Sequence, residues 1–285
     1  MVYIRGNRWD YDNWAALGCT GWGYDDVLPY FRKAEANARG ADQFHGAGGP
    51  LFVSDQKWAN PTSEAFVESA SQLQLPRNAD FNGERQEGFG LYQVTQRQGE
   101  RWSASRAYVE PLRGSANLDI RTGTVVEKLV VEQGRVTGVA IRRGRKREVV
   151  HASGGGKPNA RAVNRPQGLM LSRIGPGGHL REHGIEVVLD KPAVGSDLQD
   201  HIDYVSGWAT DSTVPIGDSL AGTMRMAKAI IEHRRKRTGI MTTPYAEAGG
   251  VWAIMPDAPA PDVQWHFVPA VLEDHGREKV KGHGL

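Results

Sequence analysis

The chain has 285 residues, 39% of them hydrophobic, with 35 Lys and Arg against 33 Asp and Glu for a formal net charge of +2. This mixture excludes a disordered chain, the single cysteine, Cys19, excludes a disulfide scaffold, and the balanced charge gives no reason to expect nucleic acid as a partner. No apolar run reaches the ~18 residues of an integral membrane segment, and Met1–Gly6 lacks the apolar stretch of a signal peptide, so the sequence predicts a cytoplasmic protein, with a membrane-peripheral parent as the alternative.

In chain order, residues 1–50 read as aromatic-rich turns, with Asp25 as the cap of a helix through Leu28, Phe31 and Ala34. A Gly-rich loop, His45-Gly46-Ala47-Gly48-Gly49-Pro50, leads to a short strand, Leu51–Val53. Asn60-Pro61 is a cap followed by proline at the first helical position, and Phe66, Ala70 and Leu73 predict an amphipathic helix over 61–74. Asn82-Gly83, Glu87-Gly88 and Gln98-Gly99 punctuate 78–100, which reads as an irregular surface segment. A short helix is expected from Ser103 through Arg106 to Tyr108.

The clearest pattern lies at 118–153. Leu118–Arg121, Val125–Glu132, Val136–Arg142 and Glu148–Ala152 are β-rich and separated by glycine turns, which predicts an antiparallel meander ending in Ser153-Gly154-Gly155-Gly156. Helical pieces follow near Pro166–Ser172 and His179–His183, with Gly184 as a stop, and Ile185–Leu189 reads as a strand. A helix over 219–238 has Met224, Ala227, Ile230 and Ile231 as its apolar face, and Ala248–Met255 and Val263–Pro269 read as strands of a second sheet.

Isolated motifs carry little chemistry. His233-Arg234-Arg235-Lys236-Arg237 suits an acidic partner or, more simply, the negative end of a helix. His266, His275 and His283 have no compact metal-ligand spacing, so no metal is expected. Cys19 reads as a structural thiol. Gly154-Gly155-Gly156 suggests a phosphate-cradling turn, but Lys157-Pro158 breaks the G-x-G-x-x-G pattern.

An ordered set of segments resembles the glucose–methanol–choline family of flavin oxidoreductases, in particular its alcohol and choline dehydrogenase members. The set comprises Met1–Asn7 with Asp10–Trp14, Asp26–Glu35, His45-Gly46 with Gly49–Leu51, and Gly99–Tyr108. It continues through Pro166-Gln167 with Leu169–Ser172, Ile174–Pro176, His179-Leu180, Val194-Gly195 with Leu198–His201, and Pro261–Gln264 with His266-Phe267. The resemblance implies a mixed α/β (α+β) chain: an incomplete FAD-binding dinucleotide fold over 1–201, containing the meander, and the start of a substrate-binding domain with an antiparallel sheet over 202–285. It implies FAD as cofactor, a small-molecule alcohol as substrate, and oxidation of its CH–OH group with hydride passing to the flavin, while the electron acceptor is unassigned.

The resemblance also implies cofactor-binding positions. Met1 and Val2 match the backbone beside the flavin, Val126 matches a strand residue whose backbone contacts the adenine and whose side chain is expected in the core, and Gly154 matches a strand end where a small residue permits close approach. The family's Gly-rich phosphate motif and its catalytic histidine have no counterpart among these residues, so no catalytic residue is assigned and the chain reads as an internal fragment, about half of a longer enzyme. Alternatives are a non-catalytic remnant or binding module, and a flavin-dependent lyase of the same fold. The 157–165 stretch is longer than the family pattern, with Arg165, Gly168 and Arg173 at unusual places and Asp197 before Leu198. Trp208, Trp252 and Trp265 read as core or pocket wall.

Overall fold

The computed structural model describes residues 1–273, 277, 278 and 280–285; His275 lies outside the described residues. Two compact units form: Met1–Ser115 joined with Val205–Leu285, and Ala116–Tyr204. As expected, the chain is mixed α/β with antiparallel sheets.

The aromatic N-terminal region contains a helix the turn signals conceal. Asn7 accepts the Trp9 N–H while Asp10 accepts the Asn7 N–H, a reciprocal capping box that starts α1 (Arg8–Ala16). The next helix, α2 (Tyr24–Ala34), is capped at Gly23 rather than Asp25: the Asp26 carboxylate accepts the Gly23 N–H at 3.1 Å. Asp25 and Asp26 fill its first turn and Arg32 and Lys33 its last, the arrangement the helix dipole favours. Strand β1 (Glu35–Asn37) runs parallel to β2 (Leu51–Val53). Helix α3 (Pro61–Gln72) begins as predicted, with Asn60 accepting the Thr62 N–H.

The segment 78–100 departs most from expectation. It carries β3 (Gly88–Leu91), β4 (Gln96–Arg97) and β5 (Glu100–Arg101), and it is core rather than surface. Phe81, Phe89, Tyr92, Val94 and Gln96 are all buried. Its glycines act as close-approach points: a Cβ on Gly90 would stand 1.9 Å from the Asn78 carbonyl oxygen. A π-type turn at Ser105–Val109 and a short 3₁₀ turn at Glu110–Leu112 take the place of the short helix expected from Ser103.

In the second unit, β6 (Val125–Glu132), β7 (Arg135–Arg143) and β8 (Lys146–His151) form the predicted meander in the order β6-β7-β8. Leu118–Arg121 contributes no strand to it. Helix α4 (Arg161–Leu171) starts five residues before Pro166 and takes the proline inside it, so part of the overlong 157–165 stretch is helix. Two-residue strands β9 (Ile174–Gly175) and β10 (Leu189–Asp190) pair in parallel around α5 (Gly177–Glu182), a shorter strand than Ile185–Leu189 promised. Ser172 Oγ accepts the Leu129 N–H at 2.7 Å and ties the end of α4 to β6.

The chain then returns to the first unit through β11 (Ala209–Thr210), β12 (Gly217–Asp218), α6 (Leu220–Lys236), β13 (Ala248–Trp252), β14 (Val263–Phe267) and β15 (Gly282–Gly284). The sheet β14-β13-β3 is antiparallel, and α3 covers it: Phe66 stacks on Phe267 at 4.7 Å and lies 6.0 Å from Phe89. Glu247, fully buried, accepts from Asn60 N–H, Ser63 Oγ and Thr243 Oγ1, so one carboxylate closes the α3 N-terminus against the start of β13. Phe81, Tyr92 and Val251 form the central cluster, with Val2 and Ile4 packed against it.

Helix α6 reverses the expected orientation. Met224, Ala227, Ile230 and Ile231, the predicted apolar face, are exposed, while Ala229 is buried. Small residues let the opposite side approach its neighbours: a Cβ on Gly222 would sit 2.2 Å from the Gly217 carbonyl oxygen.

Candidate functional site

The positions to which the sequence points fall in both units. In the first, Val2 forms an antiparallel bridge with Val94. The Tyr3 N–H donates to the Gln93 carbonyl at 2.8 Å and the Thr95 N–H to the Met1 carbonyl at 2.8 Å. With bonds from residues 1 and 3, the peptide groups of Val2 itself face the other edge of this ladder. Its side chain packs on the Phe81–Tyr92–Val251 cluster, so core packing fixes the backbone while leaving that edge open.

What holds this segment in place is a buried charge network that sequence reasoning missed. The Arg5 guanidinium donates to Glu35 at 2.6 Å and to the Phe44 carbonyl at 2.9 Å. His45 lies between two carboxylates, with Nδ1 3.1 Å from Glu35 Oε2 and Nε2 2.9 Å from Asp80 Oδ2. Both ring nitrogens facing acids favours the doubly protonated ring. Hydrogen bonds to Asp80 and then Glu35 raise its pKa to about 9, against an opposing effect of burial. Burial pushes the Asp80 carboxyl up, but the hydrogen bond from His45, the Asn82 N–H and the nearby Arg39 hold it below its usual value. The charges of Arg5 and His45 thus balance Glu35 and Asp80, as burial requires. Asn82 accepts the Arg5 N–H at 2.7 Å and donates to the Tyr3 carbonyl, and Gln86 donates to the Arg5 carbonyl, so residues 3–5 are clamped along their backbone. Arg5 and His45 both lie in segments quoted above for their resemblance. What hid their pairing is that Glu35 and Asp80 are distant in sequence and no spacing rule links them.

In the second unit, Val126 sits on β6, an edge strand of the meander, paired on one side only with Ile141. Its side chain is 58% exposed, which corrects the expected buried valine. β6 bulges beside it, between Val126 and Lys128, and among the described residues no strand pairs with its outer edge. Gly154 follows the end of β8 and faces open space: a Cβ there meets nothing within 4 Å. A cleft of about 620 Å³ lies on the meander, lined by Ile120, Arg121, Ile141, Val149 and His151 among others.

The remaining sequence candidates do not build a catalytic cluster. Cys19 is exposed, so it is not a packed structural thiol. His266 is exposed with its ring 5.6 Å from that of Tyr92, whereas His283 is buried and bonded to Ser219 and the Pro215 carbonyl. Among the described residues no group of three or more His, Cys, Asp or Glu is placed to hold a metal ion. Trp208 is 65% exposed, while Trp252 and Trp265 are half-buried. The unusual arginines avoid burial: Arg165 is exposed and bonds Asn159, and Arg173 pairs at the surface with Glu186, so neither charge bears a desolvation cost.

This architecture is that of a flavoenzyme class. A solved FAD-dependent oxidoreductase from Chaetomium thermophilum matches with a TM-score of 0.80 at 28% identity, over 88% of this chain and 47% of that one. The GMC oxidoreductase family model matches residues 1–203, and the chain belongs to that family. It is similar to an alcohol dehydrogenase [acceptor] from Pseudomonas putida, 39% identical over the whole chain and 52% of the relative. It is also similar to an oxygen-dependent choline dehydrogenase from Rhizobium rhizogenes, 38% identical with the same coverage. The chain spans about half the length of the curated relatives it matches.

Proposed function

We propose that this chain forms part of an FAD-dependent oxidoreductase acting on the CH–OH group of a small alcohol, of the alcohol or choline dehydrogenase kind. The observation that carries this reading is the family match over residues 1–203, which includes all four candidate cofactor positions. Residues 1–201 are assigned to the flavin-binding region and 202–285 to the beginning of the substrate-binding region. Bound FAD supplies the two-electron acceptor for oxidation of the alcohol carbon.

The residues present fit such a group through their backbones. Among the described residues, Val2 has a peptide edge turned away from its bridge to Val94, Val126 lies on a strand paired on one side, and Gly154 leaves room for an approaching ligand. The Arg5–Glu35–His45–Asp80 network acts at one remove, by fixing the strand that carries Met1 and Val2. No residue of this chain is assigned as the base that accepts the hydroxyl proton, and no Gly-x-Gly-x-x-Gly is present to cradle the pyrophosphate. These residues contribute a share of the cofactor site.

The test is titration of FAD into the purified protein, followed by quenching of flavin fluorescence. Weak saturable binding is expected, reduced about tenfold by Val126→Pro, which removes a backbone donor, and by Gly154→Val, which fills the open space. Equal affinity in both variants would remove those two residues from the site. A protein that leaves flavin fluorescence unchanged at every concentration would overturn the assignment of cofactor contacts to this chain.

A further inference from the structure

Helix α6 carries an apolar stripe that faces outward. Leu220, Met224, Ala227 and Ile231 recur at spacings of four, three and four and therefore share one side of the helix. All four are exposed, Leu220 at 79%, Met224 at 55% and Ile231 at 53%. The opposite side holds the helix down along its length. Ser219, its cap, bonds His283 at 2.7 Å, Arg225 donates to the carbonyls of Thr213 and Val214, and His233 bonds the Gly99 carbonyl. The stripe is thus presented by a fixed helix of about 25 Å.

Charge borders the stripe. Lys228, Arg234, Arg235 and Lys236 are all exposed, and among the described residues none of the four has an ion-pair partner. Helix α6 contains five Lys or Arg and a single acid, Glu232, in a chain whose overall charge is only +2. Helix-dipole compensation accounts for the cations of the last turn, but not for Lys228 or for the apolar row beside them. An exposed apolar row flanked by unpaired cations is the pattern of a helix that lies in the plane of a lipid interface.

We propose that α6 docks this protein onto an anionic lipid bilayer surface, with Leu220, Met224, Ala227 and Ile231 entering the acyl boundary and Lys228, Arg234 and Arg235 meeting the headgroups. This is peripheral attachment: no helix among the described residues is long and apolar enough to cross a membrane. It does not depend on the flavin reading, since it uses none of the cofactor positions.

The test is flotation of the protein with vesicles of phosphatidylcholine alone and of phosphatidylcholine mixed with phosphatidylglycerol. The protein is expected to float with the anionic vesicles, to stay behind with the neutral ones, and to lose binding as salt rises. Replacing Met224→Glu and Ile231→Glu together should abolish flotation. Replacing Lys228→Ser, Arg234→Ser and Arg235→Ser together should lower partitioning on the order of a hundredfold. These side chains are exposed, so the melting curve serves as the folding check; the serine set alone suffices if the glutamates disturb it. Absence of flotation, equal flotation on both vesicle types, or binding indifferent to the variants would overturn the proposal. So would a dimer in solution that the same variants dissolve, which would assign the stripe to a second copy of the chain.

Discussion

The two units of this chain are stabilised in different ways. The first buries Phe81, Phe89, Tyr92 and Val94 together with charged groups whose partners are all present, Arg5, Glu35 and His45 among them. In the second, the buried hydrophobic side chains among the described residues are Ile141 and Leu180, while Val125, Val126, Val149, Leu198 and Ile202 stand exposed. The meander nevertheless pairs along its length, apart from two irregularities in the β6–β7 register, because its strands are neighbours in sequence and two glycine-marked turns join them. The contrast separates two sources of order: non-local burial in the first unit, local hydrogen bonding in the second.

Phe81→Ala offers the strongest way to break this comparison. It removes a ring from the central cluster and is expected to cost about 3–5 kcal/mol, melting the first unit while amide exchange in the meander stays unchanged. Equal loss of protection in both units would show one cooperative body. The charge network gives the next effect. Because His45 titrates at about 9 against an ordinary 6.5, its contribution is full below about pH 6.5 and fades as pH rises toward 9, on the order of 3 kcal/mol in all. Asp80, held low, contributes above its ordinary range and loses this as the solution is acidified through its lowered pKa. The melting temperature should therefore fall between pH 6.5 and 9, and His45→Gln should flatten that slope while lowering stability in mild acid. A pH profile unchanged by this substitution would remove His45 as the source.

Smaller changes sharpen the contrast. Ser172→Ala strips the acceptor from the Leu129 N–H and is expected to cost about 1–3 kcal/mol, with faster exchange confined to the second unit. Arg77→Ala loses an exposed pair with Glu68 and an exposed hydrogen bond to Ser71, and should stay within about 1 kcal/mol by denaturant titration.

What the sequence made legible follows the same division. The meander, α3 and the β13–β14 pair are marked by local signals: alternation, glycine turns, and Asn60 before Pro61. The 78–100 segment reads as loop because its Asn and Gly residues look like punctuation, whereas Gly90 is glycine to admit the Asn78 carbonyl and β3 pairs along its length with the distant β13. On α6 the helical period was visible but its orientation was not. The inward side is made of Gly222, Met226 and Ala229, with less apolar bulk than the Leu220, Met224, Ala227 and Ile231 stripe that faces out. Of the candidate site, the family resemblance supplied Met1, Val2, Val126 and Gly154, while the four charges that brace Met1 and Val2 lay in separate stretches joined only by folding.

The pairing of Gly88–Leu91 with Ala248–Val251 also sets a timetable for synthesis. The earlier strand leaves the ribosome about 160 residues before its partner, a delay on the order of ten seconds at ordinary elongation rates. Throughout that interval Phe89 and Tyr92 lack the strand that covers them, whereas every strand of the meander is made within the same interval. The inserted unit can then finish folding before the unit that encloses it in sequence, and the waiting strand is where a nascent chain would be most open to aggregation or to a chaperone.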